Sequence, residues 1–507
     1  MGAATVSSPD TSEIKPCRLS QTETRVAILV LFLSFVARWQ MLSPGYSIDD
    51  YALITGPNSY SLGQMAAQGR VLTYYLQRAL AALGASAPHA QPLSQILLTF
   101  VLVAVGLIVC RLWDMRTFAG SFVVVAMVVL HPYQSEIFTF RPAALNLAIP
   151  LGLSFGAILV CTRSTRYWIV SAVALACSLS IYQVVLNYLG MALVFSIAFH
   201  LTRPADSNRI FWRALRSQVT VILTAVVVYY AATYAVSRIA GSALTARTTF
   251  LGTSAITTRI DQILTLYKVI LYRTEPIMPS ATKALLLLTL GVAIMVHLAT
   301  CWRSWTCPAF RRQALAIALV VAGGLPLCAG IVLVLGEWWP VPRVLAQTGM
   351  FWGGSLALVY SIVQPIGKRL ILGSMVLILI SFIGISNQVF SDQLRVNMRD
   401  LATAGRIVGR IESLPDFAQV RYLAVNGGSW RYPSPILTAE GDMNVSAFIA
   451  AWAKVPLINE ASGSAFEPPT PDARKKADAF CATAPKWPAI ESISKIDANT
   501  VAVCLQK

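Results

Sequence analysis

The sequence predicts an all-α polytopic membrane protein, a helical bundle of about eleven spans with a small α/β domain at its carboxyl end. Three observations carry that expectation. Hydrophobic residues make up 56% of the 507 and charged residues only 12%, against roughly 25% charged in soluble domains. Long apolar runs recur, and basic residues gather in alternate connections between them.

The runs Ile28 to Val36, Ile96 to Val109, Val219 to Tyr230, Ala314 to Leu335 and Leu370 to Ile385, with their flanks, approach or exceed about 18 residues. Such lengths cross a hydrocarbon core about 30 Å thick. Basic clusters fall at Lys15, Arg18 and Arg25, at Arg111 and Arg116, at Arg163 and Arg166, and at Arg203, Arg209, Arg213 and Arg216. Further clusters are Arg303, Arg311 and Arg312, then Lys368 and Arg369. The positive-inside rule makes these cytoplasmic. Connections around 44–92, 131–141, 181–188, 238–282 and 335–343 then face outward, and in a bacterial inner membrane that side is the periplasm. The net charge of +17 is explained by orientation, whereas nucleic-acid binding would need a basic face on a folded domain. The first span reads as an anchor, because its polar lead is long and lacks a small-residue cleavage pattern. The expected division is a cytoplasmic tail over 1–24, a membrane domain over 25–389 and a periplasmic domain over 390–507.

Cysteine placement tests this topology separately. Cys17, Cys110, Cys161, Cys301 and Cys307 fall on or near cytoplasmic connections, and Cys177 and Cys328 fall within spans. Only Cys481 and Cys504 lie in the tail, so an isolated pair on the oxidising side predicts a disulfide. Cys301 and Cys307 lack a second ligand pair for a metal. The tail itself turns polar, with a helical stretch around Asp392 to Leu414 and a strand-like run Val420 to Val425 ended by Asn426, Gly427 and Gly428. Alternating apolar residues from Ile493 to Leu505 surround a turn at Asp497 to Asn499.

Charges on the outer face gain nothing from the positive-inside rule, so those present there need another reason. Asp49 and Asp50 follow the first span directly. Either alone could be a helix cap, but adjacent carboxylates repel and raise one pKa, which suits a general base or a cation ligand. The stretch Ala66 to Leu80 is amphipathic at helical spacing. It is either an interfacial helix with snorkelling cations or the element that presents Arg70 to a phosphate. The loop from His131 to Arg141 carries Glu136 and Arg141, which either pair with each other or face a ligand, while His131 has no second histidine nearby. A second interfacial helix is expected around Leu264, Tyr267, Lys268 and Leu271, in a segment with Arg247, Arg259, Arg273 and Glu275. Trp338 and Trp339 fit an interface belt, and Arg343 stands at the start of the next span. Together Asp49, Asp50, Arg70, Glu136, Arg141, Lys268, Arg273 and Arg343 form the candidate set, which matches what an anionic lipid phosphate beside a sugar needs.

The order SIDDY after the first span, then AAQGR, HPYQSEIFTFRPA and PRVLAQTGMFWGG, resembles the serotype-converting glucosyltransferases of the Gtr type, a branch of the GT-C membrane glycosyltransferases. The likeness runs over most of the chain. It implies transfer of glucose from a polyprenyl phosphate to O-antigen or a related surface glycan, after a flippase has turned the lipid-linked sugar outward. A donor synthase, the flippase and membrane lipids are the further partners implied. Asp49 and Asp50 match the early acidic motif of that class, and Arg70, Glu136, Arg141 and Arg343 lie within the resembling segments.

On this reading Asp49 or Asp50 deprotonates an acceptor hydroxyl, while Arg70, Arg141, Arg343 or Lys268 stabilises the departing lipid phosphate. A divalent cation at the Asp pair is the one cofactor left open. A Gly-rich nucleotide cradle is not evident, which argues against a cytoplasmic nucleotide donor. A lipid-linked glycan transporter would place ionisable residues mid-span and break helices at matched positions in two halves. An O-antigen polymerase or ligase would share the outward arginines, and a scaffold for a partner synthase would leave the Asp pair dispensable.

Overall fold

A computed structural model describes residues 18–43, 45–54, 60–85, 89–203, 208–301, 307–428 and 436–506. Lys15, Cys17 and Arg303, assigned above to the cytoplasmic side, lie outside the described residues. The helices in chain order are α1 (Gln21–Arg38), α2 (Ile48–Ile54), α3 (Leu62–Ala67), α4 (Val71–Ala82), α5 (Gln91–Leu112), α6 (Phe118–Leu130), α7 (Tyr133–Thr139) and α8 (Arg141–Arg163). There follow α9 (Trp168–Leu179), α10 (Val185–Leu201), α11 (Asn208–Ile239), α12 (Ile256–Leu271), α13 (Ser280–Cys301), α14 (Pro308–Leu319), α15 (Leu325–Ala329), α16 (Thr348–Ile362) and α17 (Pro365–Glu412). The tail adds α18 (Lys454–Ser462), α19 (Pro471–Thr483) and strands β1 (Tyr422–Asn426), β2 (Ile493–Lys495) and β3 (Thr500–Cys504).

Among the described residues seven helices are long and apolar enough to cross a membrane, or eight if α6 and α7, bent by 47° at Pro132, form one span. The eleven expected are therefore not reached. The shortfall has a physical origin, since the apolar helices α9, α10 and α16 are only 12, 17 and 15 residues long, at or below the short end of the roughly 17–25 residues of a span. Side chains that no protein surface covers, such as Phe32, Leu223, Val227, Leu288 and Ile380, are large and apolar. Such a surface belongs in lipid.

Packing between helices uses small residues for close approach. A Cβ at Gly349 of α16 would lie 2.5 Å from the Met127 carbonyl of α6, and one at Gly353 would lie 2.9 Å from Met127 Cβ. Charges then separate the two ends of the bundle. At one end the Arg111 Nε donates to Glu23 at 2.5 Å, and Arg203 reaches Asp114 at 3.4 Å, so the end of α5 meets the start of α1 and the end of α10. At the other end Arg38 donates to the Val129 carbonyl at 2.7 Å, closing α1 against α6.

The last helix joins bundle and tail. With 48 residues α17 is about 72 Å long, more than twice the hydrocarbon thickness. The helix expected over Asp392 to Leu414 is thus its continuation, and the expected boundary at 389/390 falls inside one unbroken element. The tail sheet has the order β1-β3-β2, with β1 parallel to β3 and β2 antiparallel to it. Parallel pairing needs a long crossover, which α18 and α19 supply. Cys481 of α19 and Cys504 of β3 are disulfide-bonded, their Cα atoms 5.3 Å apart.

Candidate active site

Short α7 organises the outer end. All seven of its residues are buried, and its polar groups reach five neighbours. The Gln134 amide donates to the Val128 carbonyl at 3.1 Å and to Tyr188 at 2.9 Å, Ser135 meets Ser386 of α17 at 3.2 Å, and Tyr133 donates to Glu275. Glu136, fully buried, faces the 3-10 turn Pro342–Val344. There the Arg343 backbone amide donates to Oε2 at 2.6 Å, and the Arg343 guanidinium donates to Oε1.

The same guanidinium donates through Nη2 to Asp442 at 3.0 Å and covers the Phe140 ring with 4.6 Å to its centroid. Burial works against the Arg343 charge, but Glu136 and Asp442 outweigh it and hold the group protonated. The expected alternative of a Glu136 to Arg141 pair does not form; Glu136 is taken by Arg343. Arg141, at the start of α8, instead lies 4.0 Å from the Tyr46 ring centroid and acts electrostatically on Asp50.

The two adjacent aspartates sit in different surroundings because α2 turns them apart. Asp50 is buried and accepts from the Ser47 backbone N–H at 2.6 Å, the N3 half of a capping box. Burial pushes its carboxyl up to about 7, opposed by Ser47 and Arg141. Its other oxygen has no hydrogen-bond partner among the described residues. Asp49 is half-buried, and burial raises its pKa also, with Arg343 opposing, Asp442 adding, and Trp452 and Arg70 opposing. Asp49 therefore shares the electrostatic environment of Arg343 and Arg70, and Asp50 that of Arg141.

Arg70 owes its position to Gly69. The single amphipathic helix expected over Ala66 to Leu80 is broken into α3 and α4 at Gly69, whose φ is 70°, in the left-handed region that glycine favours. The Gly69 carbonyl accepts from Gln183 at 2.9 Å, and the turn leaves Arg70 5.1 Å from the Tyr182 ring centroid. Its Nε is buried with no hydrogen-bond partner among the described residues. Burial lowers the Arg70 pKa, and Arg247 and Arg343 lower it further. Arg247 is itself paired with Glu337 at 2.9 and 3.0 Å. An anion between Arg70 and Arg343 would relieve this imbalance.

Lys268 and Arg273 are exposed on and after α12. The helix expected around Lys268 is α12. Buried Lys283 donates to the Val269 carbonyl at 2.5 Å, the Arg273 carbonyl at 2.8 Å and Glu275 at 2.6 Å, closing the end of α12. His131 Nδ1 accepts from the Tyr133 amide at 3.3 Å, while its Nε2 is buried with no hydrogen-bond partner among the described residues. Among the described residues no three acids, histidines or cysteines converge as a metal cluster.

Three participants were not anticipated. Asp442 and Trp452 belong to the tail, whose tertiary placement beside α2 no local pattern encodes, and Tyr182 stands at the α9 to α10 turn. Asp442 is held there by buried acids of α17: Asp392 accepts from the Leu437 and Thr438 amides at 2.9 and 3.0 Å, and Asp400 accepts from the Ala447 amide at 2.8 Å.

A family model described as Glucosyl transferase GtrII matches residues 39–360. That range contains Asp49, Arg70, Glu136 and Arg343, and α17 with the tail lies beyond it. No curated protein and no solved structure matches the chain.

Proposed function

The chain belongs to the GtrII glucosyl transferase family, and from that premise we propose that it transfers a glucosyl residue from a polyprenyl-phosphate-linked donor to O-antigen or a related surface glycan on the periplasmic face of the inner membrane. The observation that carries this reading is Asp49 beside Arg70 and Arg343 at the end of the bundle opposite Arg111 and Arg203. An acid there can take a proton, and the guanidinium groups can receive a phosphate.

The step is a single displacement. The acceptor hydroxyl oxygen bonds to the anomeric carbon as its proton passes to the Asp49 carboxylate, and the bond from that carbon to the phosphate oxygen breaks with its electron pair on the phosphate. Configuration inverts. A base with a raised pKa accepts the proton more readily near neutrality. Arg70 receives the leaving phosphate, because burial, Arg247 and Arg343 all oppose its charge and an anion would offset them, whereas Arg343 is already occupied by Glu136 and Asp442 and orients the site. Asp50 supports α2 through Ser47. Two guanidinium groups beside Asp49 disfavour a divalent cation there. Transfer in excess chelator tests that point.

The experiment for the function is a glycan profile of cells with and without the intact chain, read by mass. One added hexose per repeat in cells carrying the chain supports the reading; identical profiles overturn it.

A further inference from the structure

The tail domain contains a cleft of about 630 Å³, within the range of roughly 300–1,000 Å³ typical of small-molecule sites. It lies between α2, α18, α19 and the sheet, and its wall includes Ala52, Asn426, Trp452, Lys454, Arg474 and Asp478. Two of these tie it to the site above. Ala52 is one turn beyond Asp49 on α2, and Trp452 both lines the cleft and acts on Asp49.

We propose that this cleft is the acceptor subsite, binding a short run of sugar rings of the acceptor glycan so that its hydroxyl meets Asp49. The inference rests on the transferase reading for the chemistry, and on the cleft alone for the ligand class. Trp452 is 55% exposed, so its indole face is open to a ligand in the cleft. An indole face takes the apolar C–H face of a pyranose, and the ring hydroxyls need donors and acceptors around the rim. The cleft provides both kinds. Asp478 accepts from Asn426 at 2.7 Å and keeps a second carboxylate oxygen for a hydroxyl, and Arg474 offers a guanidinium fork. Lys454 donates to the Gly427 carbonyl, fixing the floor of the cleft. Apolar wall and polar rim together match a pyranose, which presents a C–H face and a ring of hydroxyls, better than a polyprenyl tail, which has no group for Arg474 or Asp478 to bond.

The test uses the full chain in lipid nanodiscs and, as probe, end-labelled O-polysaccharide from a strain lacking this gene. Wild-type protein should bind it, and Trp452→Ala and Ala482→Trp, the latter filling the cleft from α19, should each weaken binding at least tenfold. Arg474→Ala should weaken it several-fold with unchanged thermal unfolding. Transfer assayed in parallel should show a raised KM for the acceptor and an unchanged KM for the lipid donor. Wild-type binding that none of the three substitutions alters, or no binding by wild-type protein, overturns the subsite. Binding that is lost in the variants, from a wild-type protein that transfers no hexose, would keep the subsite and overturn the transferase reading.

Discussion

Arg343 holds Glu136 from two directions, its backbone amide 2.6 Å from Oε2 and its guanidinium on Oε1, at a carboxylate that solvent does not reach. Removing one partner of a buried pair leaves an uncompensated charge, at a cost of about 3–5 kcal/mol. Arg343→Ala should therefore lower the thermal unfolding midpoint in detergent more than Glu136→Gln, which keeps an acceptor for the amide. The double variant Arg343→Met with Glu136→Gln should recover part of that loss. Additive losses would show that the two residues do not act on each other.

The break between α3 and α4 depends on Gly69. A Cβ there would lie 2.2 Å from the Tyr229 hydroxyl and 2.8 Å from the Gln183 amide, and the left-handed backbone adds strain of its own. Gly69→Ala should cost roughly 2–5 kcal/mol and displace Arg70. Measured as a raised KM for the lipid donor in any protein that still folds, the effect should exceed that of Gly84→Ala, where nothing lies within 4 Å and φ is also positive.

The membrane character is legible in the sequence because apolar runs, with basic clusters between them, are local signals. Tertiary pairing is not local. Nothing near Glu136 in the chain indicates that Arg343, rather than Arg141 five residues on, would take it. Lys268 looked like Arg70, a cation on an amphipathic helix, and only packing separates the exposed one from the one turned over Tyr182. Eleven spans are not reached because α9, α10 and α16 are short for a bilayer, and no break in helical periodicity marks where α17 passes from lipid-facing to polar.

Asp50 gives the protein a pH dependence of stability. Its folded pKa of about 7 stands above the ordinary carboxylate value, so the stabilisation is present below about pH 4 and is lost as pH rises through 7. Asp50→Asn, which still offers an acceptor to Ser47, should unfold like the wild type at pH 4. By pH 8 it should be the more stable, by at most about 4 kcal/mol. Thermal unfolding across that range checks this, and a variant that is less stable than wild type at pH 8 would contradict it.

Orientation can be read from thiols. Cys307 is free and exposed beside Arg311 and Arg312, so a membrane-impermeant maleimide should leave it unlabelled in intact cells and label it after permeabilisation. A cysteine placed at Ser464 in the tail should label without permeabilisation. Mass mapping under non-reducing conditions should find the Cys481 to Cys504 link, and loss of that link, which closes a loop over 23 positions, should destabilise the tail by about 3 kcal/mol. Labelling of Cys307 in intact cells would reverse the topology.

The central claim is that Asp49, and not Asp50, takes the acceptor proton. Asp49→Asn and Asp50→Asn should be compared as purified full-length proteins in nanodiscs, with a polyprenyl-phosphate hexose as donor and product read by a gain of one hexose in mass. Loss of a general base costs about 100-fold to 10,000-fold in rate, and Asp49→Asn should fall by that factor while still binding the lipid donor, with Asp50→Asn remaining within about tenfold of wild type. Near-normal transfer by Asp49→Asn, in protein shown to be folded, would contradict the account.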